Sequence, residues 1–252
     1  SRTKAVAHAP VEWQRQGYSL AETNTLIKDS MILSITGFID SSEAATALTA
    51  AMKGYNVSVN DALGIVDKFV ATDQVAATSA GDLAIALSKT AANAKLAGLS
   101  LDEVIGQLAV VNEVMQEAPE STGTFYNTML SRMGMIKAGR LEDPDTGESL
   151  SDVETTLNGL GIKLRDSNQE FRNFGDVLDE VGSKWGEFNS VQQRSIATAF
   201  AGTRQQTRFL SLMSNWNTAL EYTSVAAGSA GTALDKFAVY EESLEAKTNR
   251  AT

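Results

Sequence analysis

Apolar residues recur three and four positions apart along most of this chain, which is the spacing of one face of an α-helix. Two stripes show it clearly: Val59, Ala62, Leu63, Val66, Phe69 and Val70, and then Leu101, Val104, Ile105, Leu108, Val111 and Met115. Each stripe must be buried against another helix. The pattern therefore predicts an all-α fold, built as an array of short antiparallel helices.

Predicted helix starts are marked by a serine or aspartate followed three positions later by an acid or glutamine. Such a pair caps a helix because each side chain satisfies a free backbone amide of the first turn. The pairs are Ser19 with Glu22, Asp40 with Glu43, Ser58 with Asp61, Ser79 with Asp82, Ser100 with Glu103, Ser151 with Glu154, and Ser190 with Gln193. Apolar residues at helical spacing follow every pair.

Two segments depart from the helical pattern and suggest a division of the chain. The polar stretch RLEDPDTGESLSD begins at Arg140 and is typical of a loop. Further on, Ile162 and Leu164 alternate with polar residues, DSNQ can reverse the chain, and Phe171 can return to the core. This pattern predicts one small β-hairpin. We therefore expect an N-terminal helical lobe (1–140), an acidic loop (141–150), a lobe of hairpin plus helices (151–215) and a long C-terminal exit helix (216–252).

The exit helix carries apolar or small residues at three-four spacing. They are Trp216, Leu220, Thr223, Ala227, Ala230, Leu234, Phe237 and Leu244. Its first half can pack on the helix that carries Phe209 and Leu212, but the half beyond Gly231 has no further chain to pack on. We therefore expect self-association through residues 232–250, as a trimer or other small ring, with Trp216, Leu220, Leu234, Phe237 and Leu244 as interaction residues.

Composition narrows the classes of function. With 43% hydrophobic and 21% charged residues, the 252-residue chain should bury a core. It has no cysteine, which excludes disulfides and thiolate metal sites. Its net charge of −10 disfavours specific nucleic-acid binding, and no apolar run approaches the ~20 residues of a membrane span. Because the sequence starts at Ser1 and ends within a predicted helix, we expect a fragment of a longer chain.

The sequence offers few candidate metal-binding or catalytic residues. Asp143, Asp145, Ser149 and Glu154 approach the ligand spacing of a calcium loop, but Glu148 stands where such a loop needs glycine and Pro144 stiffens it. A solvated turn is the favoured interpretation, and no metal or cofactor is expected. His8, the only histidine, is interpreted as solvent-facing. Glu148 could also be compared with a catalytic acid, but it lies in a polar stretch rather than an apolar pocket. The sequence therefore predicts a protein that is not an enzyme.

Two further stretches each leave two interpretations open. Met129, Met133 and Met135 share a predicted helix; a methionine face can bind partners, but core packing is the favoured interpretation. The stretch TAFAGTRQQTRFLSLM, residues 198–213, could form a DNA-reading helix-turn-helix or a joint between packed helices. Arg204 and Arg208 share one face, yet the acidic chain offers little basic support. A packing joint at Gly202 is therefore favoured, with the arginines facing acids or solvent.

Several of these stretches, in the same order, resemble the core domain of phage tail tape measure proteins. They are SSEAATALTAAMKGYNVSVNDALGIVDKF, AGLSLDEVIGQLAVV, LGIKLRDSNQEFRNFGDVLDEV, AFAGTRQQTRFLSLM and ALDKFAVYEESLEAKTNR. The resemblance covers most of the chain from Ser19 to Arg250. Each stretch alone is weakly specific, whereas their order and spacing together are more so.

The resemblance implies a structural role. Tape measure proteins are largely helical chains of the tail lumen, around which the tail tube polymerises, so that their length sets tail length; they leave during DNA ejection. It implies contacts with tail tube, tail tip and distal tail proteins, and a place in the virion after assembly in the host cytoplasm. It carries over no catalytic residue. The alternative from composition alone is a non-enzymatic helical adaptor or scaffold domain of a cellular protein.

Overall fold

Thirteen α-helices form the described chain. The computed structural model describes the backbone of residues 8–251 and the side chains of residues 9–243. The helices are α1 (His8–Arg15), α2 (Leu20–Gly37), α3 (Ser41–Tyr55), α4 (Ala62–Asp73), α5 (Ala80–Ser88), α6 (Ala91–Leu96), α7 (Leu101–Met115), α8 (Pro119–Lys137), α9 (Val153–Gly159), α10 (Phe174–Ser183), α11 (Ser190–Ser214), α12 (Trp216–Ala227) and α13 (Thr232–Ala251). Short 3₁₀ turns occupy Val59–Asp61 and Trp185–Glu187. The predicted all-α fold is confirmed, and this part of the chain contains no β-sheet.

Serine caps begin three of the predicted helices. Ser19, Ser79 and Ser100 each accept a hydrogen bond from the backbone amide three residues on, and the acid at that position binds back to the cap amide. Asp40 caps α3 by accepting from the amides of Ser42 and Glu43. The structure confirms these four predicted helix starts. They could be predicted because the donor and acceptor of each cap lie within one turn of sequence.

Two predicted starts are wrong by one residue, and one marks a different element. Asn189 rather than Ser190 caps α11, and its reciprocal partner is Gln192. Asp152 rather than Ser151 precedes α9, without a side-chain cap bond. Ser58 precedes the 3₁₀ turn, where its hydroxyl donates to Asp61 Oδ2 at 2.6 Å. Asn189 with Gln192 is as suitable a capping pair as Ser190 with Gln193, so the pattern alone does not choose between them.

The predicted β-hairpin near 162–171 is wrong. Ile162 and Leu164 are buried as expected, but only Arg165 and Phe171 form an isolated bridge. Asp166 Oδ1 accepts from the amides of Asn168 and Glu170, which reverses the chain at once. Backbone hydrogen bonds join Asp166 to Glu170 and Arg172 to Leu164, but the pairing stops at a single bridge and does not extend into strands. The segment is a side-chain-stabilised turn, covered by the Arg165 guanidinium 3.9 Å from the centre of the Phe171 ring.

The predicted continuous exit helix is also wrong, because it is divided into α12 and α13. Gly231 takes a left-handed backbone conformation (φ 86°) between them. The buried Asp67 of α4 accepts from the amides of Gly231 and Ala233, at 3.0 and 2.8 Å. It therefore caps α13 from 164 residues away in sequence. A local pattern cannot reveal such a cap.

A continuous hydrophobic core runs from Trp13 to Ala233 and unites the helices. Its largest fully buried side chains include Phe69, Phe125, Tyr126, Phe200 and Phe209. Helix α12 packs chiefly on α7 and α4, and much less on α11, which carries Phe209 and Leu212. The expected packing partner of the first half of the exit helix is therefore corrected to α7.

Candidate functional site

Helix α11 bends sharply at Gly202, in the middle of the glycine-arginine stretch. The backbone there has φ 73° and ψ 172°, a combination that only glycine adopts readily. A Cβ atom at this position would lie 2.8 Å from Glu148 Oε2. The bend thus needs glycine both for its conformation and for the close approach of the acidic loop.

Arg132 of α8 holds the first half of the bent helix. Its side chain is buried, with the residue 3% exposed. Its Nε donates to the Ala199 carbonyl at 3.0 Å, which satisfies an acceptor that the bend leaves without a helical partner. Its Nη1 donates to Glu148 Oε2 at 3.0 Å and lies 3.8 Å from Asp143 Oδ2. The buried charge is therefore both paired and hydrogen-bonded, as burial requires.

Glu148 of the acidic loop holds the second half. Its Oε1 accepts from the Thr203 backbone amide at 3.0 Å and also from the Thr203 hydroxyl. The carboxylate thus acts as an N-cap for the helix that restarts after Gly202. Burial opposes ionisation, but the hydrogen bonds from Thr203 and the charge of Arg132 outweigh it and lower the pKa of Glu148.

Together Arg132, Glu148, Gly202 and Thr203 form what we call the bend latch. Above and below the bend, the rings of Phe200 and Phe209 stack with centroids 5.2 Å apart and planes 10° apart. The bend brings these two rings of one helix together, and the latch fixes the acidic loop over it. The favoured interpretation of the glycine stretch, a packing joint, describes this geometry.

The four candidate calcium ligands each lie in a protein contact or in solvent. Asp143 is buried, and its Oδ1 accepts from the amides of Asp145 and Thr146. Asp145 is exposed, Ser149 shares a hydrogen bond with Ser151, and Glu154 pairs with Arg165 at 2.7 Å. Over the described side chains, no three His, Cys, Asp or Glu residues group as a metal site would need.

The arginines and methionines of the sequence analysis divide between core and surface. Arg208 pairs with Glu117 of the α7–α8 loop, whereas Arg204 is exposed. Met129 is fully buried, but Met133 and Met135 are only partly buried and line a surface groove.

The predicted interaction residues do not share one surface. Trp216 is buried in the core, at 4% exposure, while Leu220 and Leu234 are 43% and 42% exposed. Phe237 is half-buried against the core. The side chains of Leu244 and His8 lie outside the described residues. The exposed candidates are therefore Leu220 and Leu234, with Phe237 at the edge of the body.

Sequence reasoning missed Arg132, whose only local signal was a cation within the apolar run MLSRMGMI. Its partners are 16 and 67 residues away. The sequence analysis considered Glu148 only as a residue that stands where a calcium loop needs glycine, or as a poor candidate for a catalytic acid. Both residues act through tertiary contacts that the local pattern does not contain.

The fold and the bend latch define a helical protein in which the buried Asp67, Arg132 and Asp143 make structural contacts. The helices described here include none that is long and apolar enough to cross a membrane. The model of the phage-related minor tail protein family matches residues 2–202, and the chain belongs to that family. No solved structure matches the chain.

Family membership establishes a structural role in a phage tail, a place in the virion tail and association with other tail proteins. It favours a non-enzymatic role and replaces the cellular adaptor as the better-supported interpretation. The match ends at the bend itself, so α12 and α13 lie beyond it.

Proposed function

We propose that this chain is the core helical domain of a tail tape measure protein. In this role it scaffolds tail tube assembly, helps to set tail length and leaves the tail during DNA ejection. The family match and the ordered resemblance that continues to Arg250 support the proposal.

The observation that supports the proposal most directly is that the second half of α13 extends beyond the packed helices. Its first turns pack on α4 and α2, but every described side chain from Ala238 to Ser243 is exposed. Val239 is 66% and Tyr240 39% exposed. Apolar side chains on a projecting helix favour burial against another molecule.

The proposal includes self-association through residues 232–250, as a trimer or other small ring. Leu234, with Phe237 beside it, adds apolar surface to the projecting half. Burying such side chains between copies stabilises the assembly at roughly 25 cal/mol per Å² of apolar surface. Light scattering that finds a strict monomer at high protein concentration would contradict this part of the proposal.

A place in the tail lumen suits the charge of the chain. With a net charge of −10, the protein is repelled by DNA that passes through the same tube. The proposed partners are the tail tube, tail tip and distal tail proteins, first met in the host cytoplasm during assembly.

Virion composition before and after DNA release tests the proposed function. Quantitative mass spectrometry of purified phage should find the chain in intact virions and lose most of it from emptied tails, because a tape measure leaves with the DNA. The tail tube protein, which stays, is the internal control. Undiminished amounts of the chain in emptied tails would contradict the proposal.

A further inference from the structure

An apolar groove lies between α6, the C-terminal half of α8 and α10. It encloses about 390 Å³, and its apolar lining includes Leu96, Met133, Met135 and Phe171. Leu96 is 83% exposed at its edge. Methionine side chains adapt their shape to an incoming apolar surface, so the groove is suited to receive the apolar face of a helix.

The charge of the groove is opposite to that of the chain. Its lining contains Lys137, Arg140 and Arg172 and no acidic residue, although the whole chain has a net charge of −10. Arg172 pairs with Glu180 at 2.6 Å. Lys137 and Arg140 are exposed, and no described acid lies within ion-pair distance of either. The rim therefore favours an acidic occupant.

The projecting part of α13 has the complementary character. Val239 and Tyr240 present exposed apolar surface, and the exposed Glu241 and Glu242 follow directly. No cation occurs between Ala238 and Ala246. The helix packs on α2 and α4 of its own chain, whereas α6, α8 and α10 build the groove. A second copy can therefore supply what the groove lacks.

We propose that the projecting end of α13 from one copy docks into the α6–α8–α10 groove of the next copy. Val239 and Tyr240 enter the groove, and Glu242, one helical turn on from Val239, faces Lys137 and Arg140. Glu241 lies on the other side of the helix, where it lines a pocket against α2 of its own chain. This deepens the proposed self-association and rests on it. Because the two surfaces differ, the contact is head-to-tail, and such contacts close into rings or continue as filaments.

Charge reversal on each surface tests the docking by sedimentation equilibrium of the whole chain. We expect the groove variant, Lys137→Glu with Arg140→Glu, to weaken association about tenfold. The helix variant, Glu242→Lys, should weaken association as well. The matched control reverses two exposed cations elsewhere, Arg15→Glu with Lys53→Glu, and should associate like the unmodified chain. Circular dichroism checks that each variant keeps its helical fold.

An equimolar mixture of the groove variant and the helix variant should regain association. The reversed charge on α13 of one variant then meets the reversed charges on the groove of the other, while the unchanged surfaces still match. An unfolded variant cannot produce this rescue.

Three results would overturn the docking. The first is that the unmodified chain is a monomer. The second is that the groove variant associates normally, which pairing of α13 with α13 would predict. The third is that the groove variant fails to associate while the helix variant associates, which would mean that the groove binds another acidic surface. None of them decides the tape measure role, which the composition of emptied tails tests separately.

Discussion

Among single residues, Asp29 of α2 is a buried acid whose pKa is raised. It is 4% exposed. Burial raises its pKa to about 6, Lys28 partly offsets this, and the nearby carboxylate of Asp67 raises it further. Since the folded-state pKa exceeds the unfolded value, the native state binds the extra proton between about pH 4 and pH 6. Stability from this group is present at low pH and is lost as pH rises through about 6.

Replacing the carboxylate with a neutral amide should therefore stabilise the protein above pH 6. We expect Asp29→Asn to raise the free energy of unfolding at pH 8 by at most about 3 kcal/mol, since one pKa unit corresponds to about 1.4 kcal/mol. The gain should disappear by about pH 4. Urea unfolding at both pH values measures it, with the exposed Asp145→Asn as control. A gain of equal size at both values would show that charge burial is not its cause.

Gly202 is the residue on which the bend latch depends most directly. Gly202→Ala places a Cβ in a conformation restricted to glycine and 2.8 Å from Glu148 Oε2. It should lower the free energy of unfolding by about 2 kcal/mol. Gly64→Ala is the matched control: this helical glycine has open space around it, so alanine should stabilise the protein by up to about 1 kcal/mol. Thermal unfolding of both variants measures the difference. An unchanged melting temperature for Gly202→Ala would contradict the strain argument.

At this scale the sequence predicted the joint at Gly202 but not what holds it. The glycine between two apolar runs is a local signal, and so the packing joint could be proposed. Glu148 lies 55 residues from Thr203, and Arg132 lies 67 residues from Ala199. Their meeting depends on how α8, the acidic loop and α11 pack together, which no short pattern encodes.

At the scale of elements, capping chemistry predicted where helices begin, whereas side-chain periodicity predicted which residues are buried. Ser19, Ser79 and Ser100 were found as helix caps because donor, acceptor and stripe all lie within one turn. The hairpin prediction failed because alternation at Ile162 and Leu164 reports which side chains are buried, not whether strands pair. A turn with two inward side chains gives the same pattern.

The break between α12 and α13 illustrates tertiary control of an element. Spacing alone continued the helix through Gly228 and Gly231, but Asp67 restarts it by capping Gly231 and Ala233. The same spacing assigned Leu220 to the packed face. In the structure, Trp216 is buried as the stripe predicts, but Ala219, Tyr222 and Ala226 share its buried face and Leu220 does not.

Removing the remote cap should loosen α13 selectively. Asp67→Ala leaves two amides without their acceptor, and should lower the free energy of unfolding by about 1–3 kcal/mol. Asp73→Ala is the matched control, since it removes only the partly exposed ion pair with Lys236 between the same two helices, worth less than about 1 kcal/mol. Hydrogen exchange should quicken in α13 and stay unchanged in α7. Equal effects of the two variants would remove the special role given to Asp67.

At the scale of the whole molecule, one continuous core joins residues that the sequence analysis placed in different lobes. Whether those lobes behave as separate units remains a prediction. Helical periodicity was sufficient for the all-α class, because stripes recur in every part of the chain. The assignment to the phage tail family, by contrast, depends on the order of many weak motifs and on the family match over residues 2–202.

The central claim, that the chain is part of a tape measure, is tested most directly by tail length. A stop codon early in its reading frame should abolish tails or leave tubes of irregular length, because polymerisation then has no internal ruler. Supplying the intact gene in trans should restore a single length. Electron microscopy of negatively stained particles measures both. Tails of uniform, unmodified length assembled without the chain would contradict the account.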